Sequence, residues 1–413
     1  MNMNIIIPVS AIQAARKLLT RLHFERLKLP VLTHVLATID AAGLTLAVSD
    51  LDHWLETRIP ATINPTQPTQ PTKPVKTDHG TARFLIPAAA LAAAARGDKG
   101  GSVQFDCPGD PDPDHPVLKL TITCGKMPVE SVYQPEPVAG FTERPVIQGR
   151  ITTVPKETFQ ALRTVAGCAS TDESRYVLNG VLFSPDNGGI LIATDGQRLA
   201  GAAARFGGRE FILPSVAVHV LGFQDFTGRD AAILQPEAAD SPHVQFRSGP
   251  HTLIARTIEG NYPNYRCVMP GEFLADATIP ETHRPALISW LRSLDGRSPT
   301  VRLTWAHPGR LTLTHWDCGT ATATIQVPVT ISGEGRPPVI AFRPRFLADA
   351  LVIGSTLRLI DGISPGVATD PATGNYCLIM PCRFTEEAED GAEMKPETSA
   401  PAGGNAPVPA IAA

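Results

Sequence analysis

The sequence predicts an α+β chain of three tandem domains, each made of two units of one helix plus a few antiparallel strands. Three observations carry this. An amphipathic helix recurs three times at intervals of roughly domain length. A pair of strands about a turn follows each of these helices, and the second strands align with one another. A second opening, a Phe with a Pro close behind it and another short helix, then recurs in each repeat. Intervals this long mean tandem domains rather than a short-period solenoid. The repeats place domains at 1–147, 148–271 and 272–384, with a tail over 385–413.

In the first helix Ser10 is the expected N-cap, and Ile12, Ala15, Leu19 and Leu22 share a face. In the second, Pro155 sits early, Phe159, Leu162 and Ala166 form the stripe, and Gly167 ends it. In the third, Leu287, Trp290, Leu291 and Leu294 form the stripe ahead of Gly296. The aligned second strands are GLTLAVSDLDHWLE from Gly43, GGILIATDGQRLAG from Gly188 and GRLTLTHWDCGTAT from Gly309. The second-half openings are Phe84-Leu85-Ile86-Pro87, Phe211-Ile212-Leu213-Pro214 and Phe342-Arg343-Pro344.

The most informative stretch is RYVLNGVLFSPDNGGILIATDGQRLA, Arg175 to Ala200. Tyr176, Leu178, Val181 and Phe183 read as one strand, Asp186-Asn187-Gly188-Gly189 as a turn, and Ile190 to Ala193 as a second strand. A polar turn, Thr194-Asp195-Gly196, hands the chain to Gln197-Arg198-Leu199, which holds an Arg and a Leu side by side. Asp50, Asp52 and Asp195 fall at equivalent turns of the repeats, which reads as turn chemistry rather than catalysis.

Composition bounds the class. A chain of 413 residues, 43% apolar and 18% charged, belongs with soluble globular proteins and is long enough for two or three cores. The net charge of −4 argues against a wholly basic surface but allows one basic face. Seven scattered cysteines without a CxxC spacing fit a reducing compartment, with no disulfide framework and no structural zinc. No signal-like segment and no run of membrane-spanning length is present, so the expected location is the cytoplasm. The helices differ from the whole: the first carries Arg16, Lys17 and Arg21 without an acid, and the others bring Arg96, Lys99, Lys156, Arg163, Arg284, Arg292, Arg343 and Arg345. These are either ordinary solvated helix faces or a surface that meets phosphates in a sequence-independent, salt-sensitive way. Two segments stand outside the repeats: the Thr/Pro-rich loop within 62–76, expected to be extended, and the tail, acidic through Glu386, Glu387, Glu389, Asp390 and Glu393 and then Ala/Pro-rich, expected to be disordered.

The Arg175–Ala200 stretch resembles the middle domain of bacterial DNA sliding clamps, the beta subunit of DNA polymerase III. The resemblance extends to IEGNYPNYRCVMP from Ile258, to NYCLIMPCRF ending at Phe384, and to Arg26 with Leu29-Pro30-Val31-Leu32. It implies the clamp fold: a head-to-tail homodimer, helices lining a ring around double-stranded DNA and sheets outside. It implies a non-catalytic processivity factor that needs an ATP-driven clamp loader, tethers the polymerase III alpha subunit and serves other proteins carrying a clamp-binding motif, with no membrane partner.

Carried over by position, the resemblance implies a partner-peptide groove from four stretches. Leu178, Thr194, Gly196, Arg198 and Leu199 come from the hairpin, and Pro263 and Val268 from the loop that follows. Phe346, Ile363 and Pro365 come from the third domain, and Leu378, Met380, Pro381, Cys382 and Arg383 from its end. Such a slot would be mostly apolar with two Arg at its rim. Taken alone, Leu178, Leu378 and Ile363 read as core rather than groove. The implied DNA contacts are Arg26, Arg175 and Tyr176, with Arg16, Lys17 and Arg21 behind them. Gln197 stands where the family usually has His, and Cys382 where it has Met or Leu. These departures point to an altered partner preference, and the tail continues past the usual end beside the groove.

Motif-based chemistry is sparse. There is no phosphate-binding GxxxxGK[ST], no GxSxG and no HExxH, and no cofactor or metal is expected. The Asp110-Pro-Asp112-Pro-Asp114-His115 run is either a cation site of a metal-dependent enzyme or a stiff solvated loop. A second rival is a clamp-derived peptide-binding adaptor or second-copy paralogue that does not serve the main polymerase.

Overall fold

The computed structural model describes residues 3–40, 43–65, 82–98, 100–107, 117–124, 127–222, 226, 228, 230–236, 241–294, 296–297, 299–307 and 309–383. Most of the Thr/Pro-rich loop, the Asp110–His115 run, Lys99 and the tail lie outside them. The chain divides into two compact units, one of Met1–Met269 with Thr369–Leu378, the other of Pro270–Ala368 with Ile379–Ala413.

Six helices are described, and a proline opens every one. Helices α1 (Val9–Leu19), α2 (Ala88–Ala94), α3 (Lys156–Ala166) and α4 (Ser215–Leu221) have Pro8, Pro87, Pro155 and Pro214 at the N-cap. Helices α5 (Arg284–Ser293) and α6 (Pro344–Ile353) carry a proline in the first turn. Proline is tolerated there because the first N–H groups of a helix have no intrahelical partner. The N-cap of α1 is therefore Pro8, not Ser10, which lies inside the first turn and makes no capping bond. The apolar stripes hold with small displacements. Phe159 and Leu162 are buried on α3, but Val165 takes the place predicted for Ala166. On α5 only Leu287 and Leu291 are buried, while Trp290 and Leu294 stay partly exposed.

In the first unit, a five-stranded antiparallel sheet runs in the order Thr62–Pro65, Met3–Pro8, Ser102–Cys107, Leu118–Cys124, Met127–Tyr133. An eight-stranded sheet runs Gly149–Val154, Ala231–Pro236, His243–Ser248, His251–Arg256, His53–Ile59, Gly43–Ser49, His34–Asp40, Ala82–Pro87. Its middle is a seam between strands far apart in sequence, with Leu253 opposite Leu55 and Ile254 opposite Trp54. Beneath the seam Trp54, Ile254, Leu36, Leu85 and Phe141 form one buried cluster. Glu56 ties it off, accepting from Trp54 Nε1 at 2.7 Å and from Arg144 at 3.0 and 3.2 Å.

The third sheet of this unit follows the order Phe211–Pro214, Gly180–Ser184, Ile190–Thr194, Arg198–Ala203, Tyr376–Ile379. It packs on the eight-stranded sheet through phenylalanines: Phe183 stacks on Phe211 at 4.7 Å, Phe206 meets both edge-on, and Phe246 lies 6.2 Å from Phe183. One prediction fails here. Tyr176 and Leu178 are not in a strand; Glu173–Leu178 is a 3-10 helix, and the strand starts at Gly180. The cause is local. The Asp172 carboxylate accepts from Ser174 N at 3.0 Å and Ser174 Oγ at 2.7 Å, and this cap overrides the β-favouring run that follows.

The second unit holds a four-stranded sheet, Thr320–Pro328, Arg310–Asp317, Thr300–His307, Ile340–Phe342. It also holds the strands Gly366–Thr369, Thr356–Leu359, Ala275–Thr278 and Thr330–Gly333, paired in that order. Both halves fold as a helix on antiparallel strands, with Leu287 and Leu291 of α5 and Leu347 and Leu351 of α6 buried.

Candidate partner groove and nucleic-acid surface

The turn after Ile190–Thr194 satisfies its own polar groups. Asp195 Oδ1 accepts from the backbone N–H of Gln197 at 2.9 Å and of Arg198 at 3.0 Å, and Oδ2 accepts from Arg198 Nε at 2.9 Å. Thr194 Oγ1 donates to Arg198 O at 2.7 Å and accepts from Gly196 N at 3.1 Å. Gly196 has φ +86, a left-handed conformation that favours glycine. Asp50 repeats the pattern, accepting from Asp52 N and His53 N. Asp50 and Asp195 therefore build turns, as their repetition predicts, while the Asp52 carboxylate instead meets Arg256 Nη1 at 3.5 Å.

This arrangement relocates two expected groove residues. Arg198 is only 7% exposed and locked to Asp195, and Leu199 is 4% exposed. Neither stands at a rim. Thr194 and Leu378 are buried as well, and Leu178 is half-buried. The outer surface comes from Gly196, Gln197, Pro263 and Val268, the last 51% exposed. Arg175 reaches back over the turn, donating from Nη1 to Asp195 O at 3.1 Å.

Two tyrosines outside the expected groove set brace this region. A Cβ on Gly201 would come within 2.2 Å of the Tyr376 ring, so the absence of a side chain there lets Tyr376 lie flat on the sheet. Burial pushes the Tyr376 phenol up to about 12 and also raises Tyr262. Asn375 Oδ1 accepts from Ala203 N at 3.2 Å in the same strand pairing. The one hint in the sequence is the small-residue run Gly201-Ala202-Ala203, and small residues occur in strands for many packing reasons. A cavity of about 540 Å³ nearby is lined by Arg209, Gln235, His243 and Tyr262 among others, and by none of the predicted groove residues.

In the second unit the expected residues divide by exposure. Ile363 is 79% exposed and Met380 45%, while Phe346, Pro365, Pro381 and Cys382 are partly buried and Arg383 is exposed. Ile363 is held outward by a capped loop: Asp361 accepts from Ile363 N at 2.8 Å, Ser364 N at 2.5 Å and Ser364 Oγ at 2.9 Å. Those bonds hold the Asp361 carboxyl below its ordinary range. Cys382 is fixed by its N–H donating to Ala341 O at 2.7 Å. Burial pushes its thiol up, with Arg343 beside it pulling the other way. Arg343 also lies over the Phe346 ring at 5.5 Å.

The nucleic-acid candidates sit in the first unit. Arg26 and Lys17 are exposed, Tyr176 is 59% exposed, and Arg16 pairs with Glu25 at 3.1 Å. Arg21 meets His219 of α4, with Nη1 3.0 Å from Nε2. His219 is not among the residues expected from the sequence, because a contact across 198 positions leaves no local signature. Among the described residues no helix is long and apolar enough to cross a membrane, and no three His, Cys, Asp or Glu side chains cluster as metal ligands would.

No protein-family model matches the chain. It is 30% identical over 264 residues to the beta sliding clamp of Chlamydia pneumoniae, covering 60% of this chain and 69% of that protein. Against the beta sliding clamp of Caulobacter vibrioides it is 26% identical over 386 residues, 87% of this chain and 94% of the relative. The fold superposes with a TM-score of 0.75 on the DNA polymerase III subunit beta sliding clamp of Bartonella birtlesii bound to griselimycin, at 22% identity, over 93% of this chain and all of that one.

Proposed function

This chain belongs to the bacterial beta sliding clamp family, and we propose that two copies of it close head to tail around duplex DNA. It is a DNA sliding clamp, the processivity factor of replication, of the DNA polymerase III beta type. The observation that carries the proposed mechanism is the six-fold use of one unit, a proline-opened helix on antiparallel strands, with Arg or Lys on α1, α3, α5 and α6; α2 and α4 carry neither, and Arg96, expected on a helix, falls past the end of α2. Contacts of that kind neutralise phosphates without reading bases and exchange quickly, so a closed ring would be retained while sliding. The three-domain division with boundaries near 147 and 271, a cytoplasmic site of action and the lack of a catalytic role belong to this reading. So do the polymerase alpha subunit and the clamp loader as partners. The similarity along most of the chain favours a clamp over a peptide adaptor of another function.

Ring closure needs edge strands. Met127–Tyr133 is one edge of its sheet and presents Val129 and Val132, 47% and 67% exposed. Thr320–Pro328 is an edge in the second unit, its residues mostly exposed. An exposed edge is a template for another strand, and a second copy supplies one. Partner binding is assigned to the exposed apolar residues described above. Val268 in the first unit, and Ile363 and Met380 in the second, suit short peptides with apolar anchors, each fully buried anchor contributing about 1.5–3 kcal/mol.

The test is loader-dependent retention on nicked circular DNA. Protein should stay on the circle through gel filtration and be lost once the circle is linearised. Absence of retention with a competent loader would sink the ring.

A further inference from the structure

We propose that Arg21, His23 and His219 form a station for one phosphodiester group of the duplex, and that the station takes up a proton when it is filled. The proposal rests on the clamp reading above and goes beyond it by naming a site and a linked ion.

The geometry assembles three nitrogen-bearing side chains from two repeats. Arg21 and His23 lie in the turn after α1, and His219 lies on α4. His219 and His23 stack with ring centroids 6.2 Å apart and planes 15° from parallel. A guanidinium only donates, so at 3.0 Å from Arg21 Nη1 the His219 Nε2 must accept. His219 is therefore neutral in the free protein, with its proton on Nδ1. His23 holds its place with φ 55, a left-handed conformation that residues other than glycine rarely adopt. His23 and His219 are exposed and Arg21 is partly so, which leaves the group open to a ligand.

The electrostatics agree. Partial burial lowers the proton affinity of His219, and the charges of Arg21 and His23 lower it further. The other described elements packed on α4 add cationic and apolar groups. From α3, Arg163 lies against Gly222 at the helix end. The strands Gly180–Ser184 and Phe211–Pro214 present buried apolar residues, and His251 of the strand His251–Arg256 is engaged with Thr57 and Phe226. Glu25, two residues from His23, is paired with Arg16. A guanidinium beside two imidazoles gathers donors and positive charge at one exposed point, and a phosphodiester complements both. Once the phosphate is present, Arg21 can turn its donor to the phosphate oxygens and the released Nε2 can bind a proton.

Linkage fixes the sign. If binding raises the proton affinity of His219, affinity for duplex must rise as pH falls through the window between its free and bound values. The experiment measures the dissociation constant of the full chain for a linear duplex of about 30 base pairs, whose open ends let a closed ring thread on, at constant salt. The expectation is about threefold to tenfold tighter binding at about pH 6 than at about pH 8, with much of that gain lost in His219→Gln. Calorimetry in two buffers of different ionisation enthalpy should show net proton uptake by the parent and less by His219→Gln, the variant first shown to be folded by circular dichroism. Duplex binding without proton uptake, or with the same pH slope in His219→Gln, overturns the station and leaves the clamp standing. Inorganic phosphate alone producing the full proton uptake would also overturn it, by making this a free-anion site. Failure to bind duplex at any pH would overturn the station together with the ring.

Discussion

Arg198 shows how far a residue's type can mislead about its place. An arginine beside a leucine at the exit of a hairpin reads as a rim charge, yet its guanidinium is enclosed and shared with Asp195. Removing one member of such a pair leaves the other uncompensated. Arg198→Ala should cost about 3 kcal/mol of stability, measured by chemical denaturation. Ile363 is its opposite, a large apolar side chain held outward by a capped loop. Ile363→Ala should change stability by less than about 0.5 kcal/mol while weakening binding of a clamp-motif peptide about tenfold, measured by fluorescence anisotropy. Unchanged peptide affinity would remove Ile363 from the groove. Residue identity alone could not separate these cases, because exposure is decided by partners elsewhere in the chain.

At the level of elements, the legible features were those with local causes. Helix positions followed from apolar spacing and prolines, and the Asp195 turn followed from Thr-Asp-Gly. The 3-10 helix at Glu173–Leu178 was missed because a single side chain, Asp172, outweighs a β-favouring run. The docking of Tyr376–Ile379 beside Arg198–Ala203 was invisible for another reason: its partners are separated by more than 170 positions. That docking has a titration signature. Tyr376 is protonated and half-buried, and its folded value of about 12 stands above the unfolded value near 10. Its contribution is complete below the unfolded value and lost as pH rises through the folded one. Melting temperature should therefore fall between about pH 10 and 12, and less so in Tyr376→Phe. Gly201→Ala, which drives a methyl into that ring, should destabilise by about 1–3 kcal/mol at neutral pH.

For the whole molecule, the number and type of repeats could be read from the sequence, but the edges that join copies could not. Val129 and Val132 look like ordinary strand residues until the sheet order leaves their strand without a second neighbour. Val132→Lys should keep the monomer folded and raise the dimer dissociation constant by at least about tenfold, measured by sedimentation. A dimer of unchanged strength would assign closure to another edge.

The seam inside the eight-stranded sheet has a consequence for how the chain comes apart. His53–Ile59 and His251–Arg256 each lose a neighbour if the other leaves, and Trp54 and Ile254 would then face water together. The two lobes they belong to are joined by their backbones twice, once along the peptide and once across it. A cut in the connection between Tyr133 and Gly149 would thus leave the halves associated, as fragments that complement each other rather than as two free domains.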